Sequence, residues 1–467
     1  MKPVAIIGGG ITGLTTAYQF HKKKIPFHLY ESGSRLGGVI ETVERDGYLA
    51  ECGPNTLLET SSEITRLIEG LNLTERRCYA DPEMKNRFIT RNGRPVSIPL
   101  SPIAFFTSSF FSVYTKWRLM IEPFLGRYSG DKEESLADFV KRRLGNEFLD
   151  YAINPLVGGV YAGNPEELSV KHGFPKLYAL EQKYGSLIRG QINGTRERKR
   201  KGTVSKQDVK MMTFDKGLQV LIDAIANRIK EHTDNSTTIS RLESDPDGWE
   251  LFSSTTKESI PRKHSAVLLT APAFTMAKME IGTSGDTPLK ELSEITYPPV
   301  SSVALGFRRE DVGHSLNGFG VLNPEKENLN TLGTIFSSSL FPNRAPEGHV
   351  LLTSYMGGSR SPDLALKPEN EKIDLLLNDL KKLLHVSGKP TFINIRDYEK
   401  AIPQYVIGYD RFKNRMDQVE KQQPGLFIAG NCRNGISLSD SIMSGYSSAD
   451  RIEKSLNETN ILKPTGV

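Results

Sequence analysis

The chain has only three cysteines, Cys52, Cys78 and Cys432, at unrelated spacings, so no disulfide framework is expected. Its 8 histidines are scattered without ligand spacing, which argues against a metal site. Charge of one sign is also scarce: 60 basic against 55 acidic residues leave +5, too mild for a nucleic-acid-binding protein. No apolar run reaches the ~20 residues that a membrane-crossing helix requires. Internal repeats and low-complexity tracts are missing. No leader precedes the first strand, which reads as a bacterial cytoplasmic location without a signal or transit peptide. What is left is a globular chain of 467 residues, 37% hydrophobic and 25% charged, long enough for two or three domains.

Residues 4–13, Val-Ala-Ile-Ile-Gly-Gly-Gly-Ile-Thr-Gly, read as an apolar strand entering a G-x-G-x-x-G turn. A helix from Leu14 to Lys22 follows, with Leu14, Ala17, Tyr18 and His21 on one side. Gly8 permits the tight turn, Gly10 lets backbone approach a pyrophosphate, and Gly13 lets helix and strand pack closely. The helix start, with free N–H groups and about half a positive charge, faces the phosphates. A second strand, Phe27–Tyr30, ends at Glu31, where a carboxylate can bind a ribose hydroxyl. Strand, turn, helix, strand and acid in that order predict dinucleotide binding.

Just beyond the acid, Arg35, Gly37 and Gly38 offer a guanidinium and close backbone approach to phosphate. Glu51-Cys52-Gly53-Pro54-Asn55-Thr56 is another stiff turn. Near the other end, Gly425–Asn431 reads as a buried strand, then a loop through Asn434-Gly435-Ile436 entering a helix at Asp440–Gly445. These two ends resemble the FAD-binding halves of the flavoprotein oxidase family that includes monoamine oxidases, phytoene desaturases and protoporphyrinogen oxidases. The resemblance implies non-covalent FAD, held by Gly8, Gly9, Gly10, Ile11, Thr12, Gly13, Glu31, Ser32, Arg35, Gly37, Gly38, Val39, Gly53, Pro54, Asn55, Thr56, Ile239, Gly430, Ile436, Ser441 and Ile442. Cys432 lies near the flavin loop, but its surroundings do not match the covalent attachment sequence of amine oxidases.

From Pro99 to Tyr128, Phe106, Phe110, Val113/Tyr114, Trp117, Met120/Ile121 and Phe124 recur at helical steps, with Pro123 ending the stripe near Glu122. Such a face suits a helix in the membrane interface, the mouth of an apolar pocket, or an ordinary core. The run Arg196–Lys201 reads as a solvated loop or a contact for anionic lipid headgroups. Ser135 caps a helix that Gly145 ends, and strands and helices alternate from Trp249 to Leu384. The fold expected is α/β with α+β elements. A discontinuous Rossmann-like FAD domain (1–80, 210–275, 410–455) carries an inserted sheet-based substrate domain (81–98, 276–409) and a helical, membrane-associating domain (99–205).

Within the family, Asn86-Arg87-Phe88, Val157–Ser169, Gly318–Leu322 and Ala401–Tyr405 resemble the protoporphyrinogen oxidases, and the similarity runs from Lys2 to about Ile452. That implies six-electron oxidation of protoporphyrinogen IX in haem synthesis, in three flavin turnovers, with oxygen reduced to hydrogen peroxide. It also implies peripheral attachment to the inner face of the cell membrane, a ferrochelatase-type downstream enzyme and a homodimer. Arg87 matches the arginine that holds a propionate, Gly159 a glycine whose carbonyl approaches the pyrrole N–H groups, and Leu322, Ile335 and Met356 the walls of the ring slot. Each also suits a plain structural role. No side chain stands out as a general base. Tyr409 replaces a histidine common in the family, and Gly158 an arginine found in some members. Coproporphyrinogen III oxidation is the rival within the branch, followed by amine oxidase or desaturase activity and by a non-catalytic flavin module.

Overall fold

The computed structural model describes residues 1–200, 209–254, 260 and 262–458. Strands from distant parts of the chain form one parallel sheet, in the order Thr233–Asp234, Phe27–Tyr30, Val4–Ile7, Ala266–Leu269 and Leu426–Ile428. Both faces are covered, which is why Val4–Ile7 and Ala266–Leu269 carry no polar side chain. Helices Ile11–Lys23, Gln219–Ile229 and Leu438–Glu458 bury one face through Leu14, Ile225 and Ile452. Tyr297, Phe412 and Met416 fill the space against the other. The first helix begins at Ile11, one turn earlier than the periodicity suggests, because Gly10 is the last extended residue.

A second sheet has seven strands in the order Phe392–Tyr398, Val300–Arg308, His349–Gly357, Thr331–Ile335, Gly320–Leu322, Phe88–Arg91 and Arg94–Ser97. Its pairs are antiparallel except for Gly320–Leu322 beside Phe88–Arg91. The amphipathic helix Glu369–Leu384 covers one face, where Leu376, Leu380 and Leu383 meet Val303, Leu305, Phe307 and Leu352. Tyr48, Ala50, Ala304 and Leu351 pack on the opposite face.

The segment between Pro102 and Arg200 is largely helical. The aromatic stripe is not one helix, as its spacing suggests, but two, Pro102–Thr107 and Val113–Ile121. Ser112 starts the second: its hydroxyl accepts the Thr115 N–H, while Glu147 accepts the Ser112 N–H and the Ser112 and Thr115 hydroxyls. Phe110 thereby leaves the stripe and is buried with Phe105, Phe111 and Ile89. Apart from the half-buried Ile121 the rest faces out, with Val113 81%, Tyr114 69% and Phe124 80% exposed, and Ile103 beside them is 79% exposed. The expected stop near Glu122 is present, since the helix ends at Ile121. Beneath it the fully buried Arg143 pairs with Glu122 at 3.2 Å and also with Glu181. Glu122 further accepts the N–H groups of Leu187 and Ile188, capping the helix Leu187–Arg200 with a negative charge. The basic run is therefore helical through Arg200 rather than a loop, and Lys201 lies outside the described residues. Among the described residues no helix is long and apolar enough to cross a membrane.

Candidate functional site

At the C-terminal edge of the parallel sheet, the turn after Ile7 is built by close contact. A Cβ on Gly13 would stand 2.1 Å from the Gly8 carbonyl oxygen, so the helix can sit this near the strand only with glycine there. Gly10 is the opposite case: a Cβ there would meet nothing within 4 Å, which leaves its face open. Glu31 locks the loop, accepting the Gly9 N–H at 2.6 Å and the Gly33 N–H at 2.7 Å. Each carboxylate oxygen keeps lone-pair capacity for a ribose hydroxyl. The cradle thus fits a dinucleotide. The Ser32 hydroxyl donates to Glu31 at 3.2 Å.

Arg35 behaves differently from the sequence expectation. Its guanidinium donates to the carbonyls of Leu36 (3.1 Å), Ile40 (2.9 Å) and Gly38 (2.6 Å) and pairs with Glu41 at 3.2 Å. In this conformation it shapes the Gly37–Val39 loop rather than pointing a free fork at phosphate. Gly37 N–H donates to the Gly9 carbonyl at 2.8 Å, which holds that loop against the first turn. Val39 is exposed, and its carbonyl lies against Gly53, where a Cβ would come within 2.1 Å.

The distant chain ends meet here. The Thr12 hydroxyl donates to the Ser441 carbonyl and the Thr16 hydroxyl to the Gly445 carbonyl, both at 3.0 Å. The Gly430 N–H donates to the Ser444 hydroxyl at 3.2 Å. Ile442 is fully buried with the first helix and Ile239 with Tyr30, so backbone is what these two offer a ligand, whereas Ile436 is partly buried. Two tyrosines hold the loop between: Tyr405 accepts the Gly435 N–H at 3.0 Å, and Tyr409 donates to the Cys432 carbonyl at 2.7 Å. Tyr409, the departure from family pattern, is thus a buried anchor whose hydroxyl burial holds well above its usual range. Cys432 is also buried, its thiol pushed up to about 12 by burial, the reverse of an activated nucleophile.

The second sheet brings part of the expected slot to this edge. Leu322 and Ile335 share one sheet face, since their cross-strand partners are Gly333 and Thr353, and Tyr355 pairs with Gly333 on the same side. Helix Asn154–Tyr161 lies over it: a Cβ on Gly159 would fall 2.3 Å from Leu322 Cδ2. The two walls touch, so a macrocycle lying between them must part them. Ile335 and Asn55 also line a narrow crevice with Glu51, Ser337 and Arg344. Arg87 precedes the Phe88–Arg91 strand with its guanidinium 4.5 Å from the Phe319 ring centroid. It donates weakly to the Met84 and Lys85 carbonyls and has no carboxylate within 4 Å among the described residues. Burial lowers its pKa, the mark of a desolvated cation.

Met356 does not join this group. It is fully buried on the opposite face, with Val303, Phe307 and Leu376 beneath the Glu369–Leu384 helix. The neighbouring Tyr355 faces the site instead, its hydroxyl accepting from the Asn55 side-chain amide and donating to the Gly53 carbonyl at 3.3 Å. Sequence reasoning passed over Tyr355 and Arg360; only the parity of the His349–Gly357 strand could have pointed to the first.

A family model described as flavin containing amine oxidoreductase matches residues 11–453. The mitochondrial protoporphyrinogen oxidase of Nicotiana tabacum is 36% identical over 479 residues, covering 97% of this chain and 94% of the relative. Coproporphyrinogen III oxidase of Bacillus subtilis (strain 168) is 28% identical, covering 95% and 96%. A crystal structure of a protein from Exiguobacterium sp. 255-15 superposes with a TM-score of 0.79 at 24% identity, covering 97% of this chain and 99% of that one. With the glycine cradle joined to the Ser441 loop and the similarity running almost end to end, the chain belongs to the flavin-containing amine oxidoreductases, in their protoporphyrinogen oxidase branch, and is an FAD-dependent oxidoreductase.

Proposed function

We propose that the enzyme oxidises protoporphyrinogen IX to protoporphyrin IX. The observation that carries this reading is Arg87, a half-buried cation without a carboxylate partner at the end of the apolar strand holding Leu322. Bound FAD supplies a two-electron acceptor that oxygen regenerates, so three rounds remove six hydrogens and yield three hydrogen peroxide molecules. Arg87 holds a propionate in a charge-assisted, two-pronged bond and so fixes which bridge carbon faces the cofactor. Leu322 and Ile335 exclude water from the ring and the Gly159 carbonyl meets the pyrrole N–H groups, a role supported by how near Gly159 lies to Leu322. No side chain in this group is poised as a base: burial raises the Tyr355 hydroxyl out of reach at neutral pH. Pyrrole protons therefore leave to solvent.

The cofactor residues named from sequence, Arg35 now as a support of the Gly37–Val39 loop, stand as our assignment, supported by the open Gly10 face and the Glu31 lock. The exposed Ile103, Val113, Tyr114 and Phe124 support docking at a membrane surface, where an apolar product passes to a ferrochelatase-type enzyme. Coproporphyrinogen III is the second reading, favoured by a second guanidinium without a carboxylate in contact, described below.

The test uses purified, FAD-loaded protein and fresh protoporphyrinogen in air. Porphyrin fluorescence should rise with three peroxides per porphyrin, and acid precipitation should leave the yellow colour in the supernatant. Loaded protein that produces no fluorescence overturns the reading.

A further inference from the structure

Arg360 follows the sharp turn at Gly357 and Gly358, whose φ values of 97° and 70° carry the chain back over the sheet. Its guanidinium donates to the Asn323 carbonyl at 2.8 Å and to the Asn154 side-chain oxygen at 3.0 Å. It lies against Gly158, where a Cβ would stand 3.0 Å from Nη2. Alanine there would ask Nη2 to yield by a few tenths of an ångström, and a long side chain such as arginine would compete with it for this space. Arg360 thus lies beside Gly158, one of the two positions at which the chain departs from family members.

Three of the five N–H donors have no acceptor among the described residues, and no carboxylate lies within 4 Å. Glu325 acts on it through space and is itself engaged by the Asn154 amide at 3.1 Å. A cation withdrawn from water with no carboxylate in direct contact is costly, and an arriving anion relieves that cost. Arg87 stands at the Gly320 end of the Gly320–Leu322 strand, because Phe88 pairs with Val321, and Arg360 binds just past the other end, at Asn323. Three strand residues separate the two anchor points, about 10 Å, with Leu322 between them.

We propose that Arg360 is a second carboxylate-binding group at the Asn323 end of the slot, opposite Arg87, so that the slot takes tetrapyrroles with carboxylates on more than one edge. The proposal rests on the porphyrinogen-oxidising reading of the site. Protoporphyrinogen, whose two propionates share one edge, engages Arg87 alone. A tetrapropionate such as coproporphyrinogen III engages both.

The experiment compares both porphyrinogens with wild type, Arg360→Gln and Arg360→Lys, each checked for FAD content and melting temperature. Wild type should oxidise both. Arg360→Gln should raise KM for coproporphyrinogen about 10-fold with kcat nearly unchanged and leave protoporphyrinogen kinetics within about 2-fold; Arg360→Lys should recover part of the loss. Equal losses on both substrates, no loss on either, or a wild type active only on protoporphyrinogen would each overturn the proposal. If loaded wild type oxidises neither, the reading of the reaction fails separately. Arg360 is then judged by quenching of porphyrin fluorescence on binding: Arg360→Gln must weaken coproporphyrin III and spare protoporphyrin IX, and any other pattern overturns the proposal.

Discussion

The Tyr355 hydroxyl donates to the carbonyl of Gly53 at 3.3 Å, fastening the Glu51–Thr56 turn beside the cofactor cradle to the seven-stranded sheet. Asn55 closes the same bridge through its side-chain amide. Removing the hydroxyl in Tyr355→Phe forfeits bonds worth about 0.5–1.5 kcal/mol each. The expected result is a fall of about 3–10-fold in kcat/KM with normal FAD content, read by the porphyrin fluorescence assay. Unchanged kinetics would show that the bridge is incidental.

Arg87→Ala removes a charge-assisted pair worth about 1.5–3 kcal/mol, so KM should rise at least ~10-fold or turnover be lost. Because burial already disfavours its charge and no acid compensates, the fold should not suffer. A melting temperature equal to wild type, with impaired kinetics, is the signature to look for.

Glu31→Ala leaves the N–H groups of Gly9 and Gly33 without their acceptors. The stranded donor of the buried Gly9 costs about 1–3 kcal/mol, that of the half-buried Gly33 less, and FAD affinity should weaken by roughly 10–100-fold. Fluorescence titration of apoprotein with FAD measures this directly; a Kd within twofold of wild type would remove Glu31 from the cradle.

His264 is fully buried beside the Tyr30 hydroxyl at 3.0 Å, with His28 and Arg262 nearby, and burial lowers its pKa to about 4 from 6.5. Between those values the unfolded chain binds the extra proton and the folded one does not. Stability is therefore lost as pH falls through 6.5 and continues to fall until about 4. The slope from this group is at most about 1.4 kcal/mol per pH unit. Melting curves from pH 7.5 to 5 should show His264→Gln gaining on wild type as the medium becomes more acidic. Parallel curves would contradict the assignment.

The triple replacement Val113→Ser, Trp117→Ser, Phe124→Ser strips the outward apolar face. Wild type should float with anionic vesicles in a density gradient, and the triple variant should stay below. Exposed positions of this kind usually change stability by less than about 0.5 kcal/mol per site, so melting should be unaffected. Equal flotation by both proteins would count against a membrane face.

Where steric need is local, the sequence was readable. Gly13 is glycine because a carbonyl lies in its way, and the helix Leu136–Leu144 starts and stops at the cap residues Ser135 and Gly145 foreseen for it. The helix stripe from Phe106 to Phe124 misled because spacing cannot see Glu147, brought from elsewhere to restart the chain at Ser112. Met356 failed on parity: in a strand, one step decides which face a side chain takes, and here that step gives the site to Tyr355. Arg360 had no local signal at all. Its meaning comes from two glycines that turn the chain and a third, Gly158, on another element that makes room.

The parallel sheet sets an order on synthesis. Its edge strand Leu426–Ile428 and the Leu438–Glu458 helix against the first helix are contributed by the last tenth of the chain. The opening strand has both its strand neighbours once Ala266–Leu269 is made, but its helix Ile11–Lys23 waits for Leu438–Glu458, and such long-range closure is slow. Flavin capture needs the Ser441–Gly445 segment against the first helix, so chains truncated before residue 438 should emerge colourless.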